Sequence, residues 1–351
     1  MLRPRDPRLE VQALGMRFRT PVGLAAGVDS DGRWLQGLSM LGFGFIEVGT
    51  VTAKAQRGNE RPRVFRLLSE HAILNRRGFP NDGAAAAAKR LRAARITERP
   101  QSGRGGAESG SREGGERASR RGSRPIVGVN IGKSAVTALE DAGADYRESA
   151  RAVAALADYL VLNVSSPNTP RLRELQSVAH LRQLIEEVRG QLSALQVEVP
   201  LLVKIAPDLS DEEIAAIADL AVSMKLDGIV AVNTTTDRTC LEKAPPVPPE
   251  FGGGISGRPL RPRAEQVLAL LADRVGEQLA LISVGGIESA EDVISRLQAG
   301  ATLVQAHTAF VFNGPLWPFS IAKALSRKLD EAGVRDIADL SQQRRASSER
   351  R

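Results

Sequence analysis

The chain has 351 residues, 42% of them hydrophobic, which is enough to bury the core of one large domain or of two smaller ones. A single cysteine and three histidines exclude a disulfide framework and disfavour a metal cluster, so no metal is predicted and a reducing, cytoplasmic interior is indicated. The net charge of +7 resides in residues 99–124 (seven Arg, three Glu) and 344–351 (four Arg, one Glu), and because neither segment contains an aromatic residue, no nucleic-acid partner is predicted.

Short apolar runs alternate with helical patterns along the chain, which is typical of β-then-α units around a parallel sheet. Eight runs are predicted as strands, at 22–26, 45–49, 126–130, 159–163, 201–205, 228–233, 281–285 and 301–305. Helices are predicted between them, among others at 145–157, 177–195, 210–224 and 289–300. Eight such units, with no GxGxxG after the first strand, favour an α/β fold that is a single (β/α)₈ TIM barrel over a doubly wound sheet.

Two segments fall outside this pattern. Residues 99–124 are rich in Gly, Ser, Arg and Glu without apolar periodicity, which predicts a disordered insertion in a barrel domain of residues 1–338. Residues 339–351 are predicted to be a disordered basic tail. No run of 18 apolar residues is present, and the first 20 residues carry charges throughout, so neither a transmembrane helix nor a signal peptide is predicted.

Polar residues or glycines follow every predicted strand, at the end of a barrel where active sites form. The two glycines of SVGGIES (283–289) and the segment after the eighth strand predict a phosphate site, with a plain turn as the alternative. Lys204 lies inside an apolar strand, and a buried ammonium needs an anionic partner, so we predict a ligand contact in preference to a structural ion pair. Lys133 is interpreted as a surface or loop lysine.

The segments at the strand ends together resemble the dihydroorotate dehydrogenase family of flavin enzymes. They are AAGVDSDG, GTVT, NRRGF, NIGKS, NVSSPNTPRL, VKIAPDLS, VNTTTDR, GGGISGRPL, SVGGIES and LVQAHTAF. Ser166, where the other class of the family has cysteine, resembles class 2, the quinone-linked form. The resemblance implies FMN-dependent oxidation of (S)-dihydroorotate to orotate in pyrimidine (UMP) biosynthesis, with quinone as electron acceptor.

The resemblance also implies roles for individual residues. Ser166 matches the family's catalytic base, which removes a proton from C5 of dihydroorotate while a hydride leaves C6 for the flavin. The implied FMN contacts are Ala26, Gly27, Thr50, Asn130, Asn163, Lys204, Val232, Gly257, Gly286, His307 and Thr308. The implied substrate contacts are Ser30, Asn75, Arg76, Arg77, Gly78, Phe79, Asn163, Asn168, Asn233 and Thr234.

Three residues depart from the family pattern. Ser30 stands where the family has a lysine that contacts the flavin and the substrate carboxylate. Arg77 stands where methionine is usual, and we hypothesise that it supplies the missing charge. His307 replaces a tyrosine beside the flavin phosphate.

The amino terminus departs from the family pattern as well. Class 2 members carry two amino-terminal helices that dip into the membrane and admit quinone, and this chain begins after them. The expected membrane contact is at most peripheral, on the inner face of the cell membrane, and a soluble electron acceptor stays an alternative. Two other hypotheses remain open: a related flavin barrel with an altered substrate, and a non-catalytic flavin-binding relative.

Overall fold

A computed structural model describes residues 6–97, 125–243, 245 and 247–342. Its strands are Val11–Ala13 (β1), Met16–Phe18 (β2), Val22–Leu24 (β3), Phe45–Val51 (β4), Val64–Leu67 (β5), Ala72–Asn75 (β6), Ile126–Ile131 (β7), Tyr159–Asn163 (β8), Leu201–Ile205 (β9), Gly228–Ala231 (β10), Gly254–Gly257 (β11), Ala280–Val284 (β12) and Leu303–Ala306 (β13). Its helices are Leu35–Ser39 (α1), Ala84–Thr97 (α2), Ala142–Val153 (α3), Val178–Ala194 (α4), Asp211–Ser223 (α5), Arg261–Val275 (α6), Ala290–Gln298 (α7), Thr308–Asn313 (α8), Trp317–Ala332 (α9) and Ile337–Gln342 (α10).

Eight of the strands close into a parallel barrel. Their order around it is β3, β4, β7, β8, β9, β10, β12 and β13, with β13 pairing back onto β3. The order follows the chain, as expected when each strand is returned to the start of the next by a helix on the outside. The predicted (β/α)₈ TIM barrel is confirmed, and all eight predicted strands are present.

Aromatic rings fill the end of the barrel where the strands begin. Phe45 makes an edge-to-face contact with Phe18 of the β1–β2 hairpin at 5.3 Å between ring centroids, and with Tyr159 at 6.3 Å. Gly23 and Gly128 face the Phe45 and Tyr159 rings, and a Cβ at either glycine would overlap its ring. The glycines therefore make room for aromatic side chains that plug this end and leave the opposite end for the site.

The predicted helix starts at Ser210 and Ser289 are confirmed. Ser210 caps α5 through a reciprocal pair of hydrogen bonds with Glu213, and Ser289 caps α7 in the same way with Asp292. Such boxes satisfy main-chain N–H groups that the first helical turn leaves without partners. They fix the two helices to the loops that follow β9 and β12.

A three-stranded antiparallel sheet lies outside the barrel. The strand order is β11–β6–β5, so a hairpin inserted after β4 pairs with a strand inserted after β10. The bulk of its apolar contacts form a small separate core that includes Leu67, Leu74 and Ile255. This sheet forms one wall of the cavity described below.

Several predicted boundaries need correction. The eighth barrel strand begins at Leu303 rather than 301, because Ala301 N–H donates to Arg296 O and so belongs to the turn that ends α7. The disordered tail predicted from 339 is wrong for residues 339–342, which lie in α10, where the buried Leu340 packs against the core. The predicted insertion at 99–124 and the rest of the tail lie outside the described residues. Within the described ranges, no helix combines the length and apolarity needed to span a membrane.

Candidate active site

The strands end at a cavity of about 310 Å³. Ends of barrel strands contribute Thr50, Asn163 and Lys204 to its lining, and the antiparallel sheet contributes Asn75 and Gly257. The same cavity reaches the half-exposed Val64 of β5, which marks its open side. The site is therefore a pocket between the mouth of the barrel and the inserted sheet.

A network of buried hydrogen bonds joins three neighbouring strand ends. Thr50 Oγ1 donates to Asn130 Oδ1 at 2.6 Å, and Asn163 Nδ2 donates to both of these oxygens at 2.8 and 3.1 Å. Asn163 Oδ1 accepts from Ser165 Oγ at 3.0 Å and from Asn233 Nδ2 at 3.4 Å. The amide of Asn163 is thus fully bonded inside the protein, and its orientation is fixed before any ligand arrives.

Two further asparagines link the inserted sheet to the loop after β8. Asn168 Nδ2 donates to both the main-chain oxygen and Oδ1 of Asn75, each at 3.3 Å. Asn59 Nδ2 donates to Asn168 O at 3.1 Å and braces this contact from outside. Amide groups carry a donor and an acceptor each, so this side of the cavity can match a ring that alternates N–H and C=O groups.

Ser166 follows β8 and lines the same cavity with only 5% of its surface exposed. Its Oγ accepts a hydrogen bond from Asn168 N–H at 3.2 Å. Since that bond occupies a lone pair and not the hydroxyl proton, the O–H group stays available to a ligand or to a proton acceptor. The adjacent Ser165 is fully buried and is bonded to Asn163 and Asn233.

Lys204 reaches the floor of the cavity from β9. It stands in register with Asn163 on the neighbouring strand. Burial lowers the pKa of Lys204, and the negative charge of Glu47 opposes this shift. Glu47 is fully buried, and its oxygens accept from Asn130 Nδ2 at 2.8 Å and Gln305 Nε2 at 2.7 Å. Within the described ranges Lys204 has no hydrogen-bond partner, so its ammonium is charge-balanced at a distance and free to contact a ligand.

A second cation, Arg77, lines the cavity from the loop after β6. Its Nη1 donates to the carbonyl of Gly27, and its Nη2 donates to Ser30 Oγ at 3.3 Å. Burial, together with the charges of Arg77 and Lys204, lowers the pKa of His307, next to Gly27, to about 4. His307 is therefore neutral near pH 7, and the positive charge of the pocket comes from Arg77 and Lys204 inside it and from the exposed Arg66 of β5 at its lining.

The candidate phosphate loop is built differently from what the sequence predicted. Gly285 and Gly286 have φ of 116° and 70°, conformations that favour glycine. Asp292 accepts from the N–H groups of Glu288 and Ser289 at 2.9 and 3.0 Å, so these two groups just before α7 are not available to an anion. In the described parts of the chain, the main-chain N–H group of Gly286 finds no acceptor, which leaves it for a ligand.

Nearly all residues singled out from the sequence line this one cavity, and two do not. Asn130 lies beneath it, fully buried, and supports Thr50 and Asn163. The Arg76 guanidinium turns away, over the Phe251 ring at 4.7 Å. The residues that do line the cavity are Ala26, Gly27, Ser30, Thr50, Asn75, Arg77, Gly78, Phe79, Asn163, Ser166, Asn168, Lys204, Val232, Asn233, Thr234, Gly257, Gly286, His307 and Thr308.

Two charged residues were misjudged or missed in the sequence. Lys133 is not on the surface: it is 2% exposed in its loop, and its Nζ donates to Thr137 O at 2.6 Å. Glu47 was not predicted to belong to the site. It is a charged residue inside the apolar run FIEVG, which is the same pattern that pointed to Lys204 in LLVKI. Its partners come from strands far away in sequence, so a single sequence does not reveal them.

Comparison with known proteins decides the family. A profile described as dihydroorotate dehydrogenase matches residues 8–329. A dihydroorotate dehydrogenase (quinone) of Thermobifida fusca is 49% identical over 97% of this chain and 84% of its own length. A protein of the same name from Leifsonia xyli is 52% identical over 92% of this chain and 86% of its own. The chain belongs to the dihydroorotate dehydrogenase family.

Solved structures agree with this assignment. The dihydroorotate dehydrogenase of Eimeria tenella in complex with ferulenol has a TM-score of 0.84 and 36% identity, over 95% of this chain and 88% of that one. The ligand-free form from the same organism also has a TM-score of 0.84, with 37% identity, over 96% and 92% of the two chains. The barrel and its inserted sheet therefore correspond to the dihydroorotate dehydrogenase fold.

Membership of the dihydroorotate dehydrogenase family implies a flavin cofactor, and the residues present fit one. Gln305 lines the cavity with a buried Oε1 that has no partner among the described residues. At Gly257 a Cβ would collide with His71 O and lie 2.9 Å from Thr308 Cγ2, so only bare backbone fits here. An unpaired acceptor, an unbonded Lys204 and bare glycine backbone are what a polar, planar ligand requires.

Proposed function

We propose that this protein catalyses the FMN-dependent oxidation of (S)-dihydroorotate to orotate in UMP biosynthesis and passes the electrons to a quinone. The family assignment supports the reaction, and the quinone-linked relatives at about half identity support the acceptor. The observation that carries the proposal is the position of Ser166. Its hydroxyl is buried and held by the loop backbone in a cavity that is lined by amides and carries two buried cations, Lys204 and Arg77.

The asparagines would bind the pyrimidine ring. Asn75 and Asn168 are joined side by side, and Asn233 is held by Ser165 Oγ at 3.0 Å with its own Oδ1 accepting from Thr234 N–H. These bonds limit rotation of each amide, so little conformational entropy is lost when a ring with matching N–H and C=O groups enters. Phe79 lines the cavity beside them and would cover the ring.

Ser166 would take the proton from C5 of the substrate. A serine hydroxyl is a weak base by its own pKa, so its activity depends on position and on passing its proton onward. The hydrogen bond from Asn168 N–H fixes Oγ, and the loop NVSSPNTP carries Pro167 and Pro170, whose rings restrict the backbone on both sides. A buried, fixed hydroxyl close to the bound ring is the arrangement that general-base catalysis needs.

FMN, when bound, would supply the acceptor for the hydride that leaves C6. Lys204 would place a positive charge beside the flavin ring. Thr50, Asn163 and Val232 would contact the cofactor from the strand ends, while Gly286 and the turn through His307 and Thr308 would hold its phosphate. The free N–H group of Gly286 supports this position, and the neutral His307 adds no charge there.

A quinone acceptor requires an apolar approach to the cavity. The β5 strand offers one, since Val64, which lines the cavity, exposes 47% of its surface, and Leu68, directly after β5, exposes 68%. Exposed apolar side chains beside a pocket suit an apolar ligand or the surface of a membrane. We therefore propose peripheral contact with the inner face of the cell membrane.

The proposal is tested on the purified protein. The cofactor is released by heat, separated and compared with authentic FMN, FAD and riboflavin, and FMN is expected at one per chain. Orotate production from dihydroorotate is then followed with a soluble ubiquinone analogue, fumarate or NAD as acceptor. The expected result is turnover with the quinone only; turnover with fumarate or NAD alone would refute the acceptor, and absence of flavin would refute the reaction.

A further inference from the structure

The two buried cations of the cavity, Lys204 and Arg77, differ in how their charges are balanced. Lys204 shares the barrel interior with Glu47. Among the residues that the structure describes, Arg77 has only neutral hydrogen-bond partners, the Gly27 carbonyl and the Ser30 hydroxyl, and no acidic group raises its pKa, which burial and the charge of Arg63 lower. A buried guanidinium without a counter-charge is unfavourable, so an anion is missing on this side of the cavity.

The acidic residues closest in sequence to Ser30 do not supply that anion. Asp29 accepts from the N–H groups of Arg33 and Trp34 at 2.9 and 2.8 Å. Asp31 pairs with Arg33 at 3.1 Å and with Arg90 at 3.0 Å. Both carboxylates are thus committed to other groups, and only the Ser30 side chain faces Arg77.

The one acidic residue of the cavity lining among the described residues is also committed. Glu288 lies at the rim, where it pairs with Arg258 at 3.0 Å. The cavity therefore carries an uncompensated positive charge at Arg77, directed at whatever binds between the barrel and the inserted sheet.

Arg77 is close in sequence to Asn75, one of the proposed pyrimidine-binding residues. It stands two residues after Asn75, and its main-chain N–H points at Asn75 Oδ1 at 3.5 Å. A ring held by Asn75 and Asn168 would lie within reach of the guanidinium. Arginine carries five N–H donors in a planar fork that matches a carboxylate. In Arg77, Nη1 and Nη2 each donate one hydrogen bond to the protein, so each keeps a second N–H group for a ligand.

We propose that Arg77 binds the carboxylate of the substrate and makes the site selective for a carboxylated pyrimidine over a neutral one. The inference rests on the proposed function and deepens it. Ser30 acts as a positioning residue, because its hydroxyl accepts from Nη2 and holds the guanidinium in place. The cation thus comes from the loop after β6, while the loop after β3 supplies only a neutral acceptor.

The test compares binding of orotate with that of its neutral amide, orotamide, from the change each causes in the absorbance of the oxidised flavoprotein. The variants are Arg77→Met, Arg77→Lys and the double variant Arg77→Met with Ser30→Lys, which moves the cation to the facing loop. Arg63→Met is the matched control, because it removes a nearby positive charge that does not line the cavity. Bound flavin is measured for each protein.

The expected result is a loss of orotate affinity of about 10- to 100-fold in Arg77→Met, with little change for orotamide, because a charge-assisted hydrogen bond is lost only with the charged ligand. Arg77→Lys and the double variant should recover part of the preference for orotate, and Arg63→Met should keep it. Unchanged orotate binding in Arg77→Met, or equal loss of both ligands, would overturn the inference. Loss of flavin without a change in the orotate to orotamide ratio would assign Arg77 to the cofactor instead.

These outcomes are separable from failure of the proposed function. If the wild-type flavoprotein binds neither orotate nor orotamide, the proposed substrate is wrong and the inference falls with it. If it binds orotate and Arg77→Met binds it equally well, the function stands and only the role of Arg77 is refuted. Should Arg77→Met fail to fold, Arg77→Lys, which keeps the charge but loses the planar fork, carries the same comparison of orotate with orotamide.

Discussion

The side-chain amide of Asn163 donates to Thr50 Oγ1 at 2.8 Å and to Asn130 Oδ1 at 3.1 Å, joining the ends of β8, β4 and β7. Asn163 is 3% exposed, so these bonds are made within the protein and are lost if the amide is removed. Hydrogen bonds within the chain therefore set the proposed contact surface for flavin and substrate. Asn163 contributes both to stability and to binding.

Asn163→Ala should lower the free energy of unfolding by about 1–3 kcal/mol, because it leaves buried donors and acceptors of Thr50 and Asn130 without a partner. The same variant should retain less flavin after purification. Urea unfolding followed by circular dichroism measures the first effect, and the flavin-to-protein absorbance ratio measures the second. Gln183→Ala, on the exposed face of α4, is the control; equal stability of the two variants would show that the network contributes nothing.

Ser166→Ala and Ser165→Ala should separate the role of a serine in catalysis from the role of a serine in stability. Ser166→Ala removes the proposed base and should slow flavin reduction by dihydroorotate by about 10²–10⁴-fold, with flavin content and stability nearly unchanged. Ser165→Ala removes a hydroxyl bonded to Asn163 and Asn233, and should cost about 1 kcal/mol of stability while leaving faster reduction than Ser166→Ala. Rapid-mixing kinetics measure flavin reduction, and urea unfolding measures stability. Slower reduction in Ser165→Ala than in Ser166→Ala would show that Ser166 is not the base.

Glu47→Gln should destabilise the barrel interior. The carboxylate accepts from Asn130 and Gln305, and a glutamine would turn an amide N–H toward at least one of these donors while leaving the Lys204 ammonium without a counter-charge. Leaving a buried donor without its acceptor costs on the order of 1–3 kcal/mol, which sets the expected loss in unfolding free energy. Glu186→Gln, exposed on α4, should change it by less than about 0.5 kcal/mol. A Glu47→Gln protein as stable as this control would contradict the pairing.

His307 should make the fold sensitive to acid. Its pKa is about 4 in the folded protein, below the ordinary value of 6.5, so the unfolded chain binds more protons between these values. The neutral ring contributes stability in full above about pH 6.5, and this stability is lost as the pH falls toward 4. His307→Gln should therefore lose about 1–3 kcal/mol less than the wild type between pH 7 and pH 4.

The acid sensitivity is measured by urea unfolding at both pH values. His180→Gln, an exposed histidine on α4, serves as the control and should behave like the wild type. Parallel losses in the wild type and in His307→Gln would show that His307 titrates normally in the folded protein.

The barrel could be predicted from the sequence because its strands are buried on both faces and read as continuous apolar runs. Tyr159–Asn163 and Leu201–Ile205 have the bounds that were predicted. The boundaries were less accurate where a polar or small residue continues an apolar run, as at Ala301, since only a tertiary hydrogen bond to Arg296 decides that it belongs to the turn. Helix α10 was not predicted, because six residues beside a basic run show little apolar periodicity. The packing of Leu340 against the core stabilises this helix, and that contact is not visible in the sequence.

The sequence allowed us to predict which residues form the site, but not which hydrogen bonds and contacts their side chains make. The family resemblance implied that Asn75, Ser166 and Asn233 act together, and the fold brings them to one cavity. Side-chain direction could not be predicted: neighbouring Arg76 and Arg77 point to opposite sides, one over Phe251 and one toward Ser30. The occupation of the α7 N-terminus by Asp292 was equally hidden, since the capping bond and a phosphate compete for the same N–H groups.

The most direct test of the proposed reaction is anaerobic reduction of the purified flavoprotein by (S)-dihydroorotate. The visible flavin absorbance should bleach with formation of one orotate per flavin, and addition of a soluble quinone should restore the colour. A bound flavin that dithionite bleaches but dihydroorotate leaves unchanged would contradict the assignment of this site to dihydroorotate oxidation.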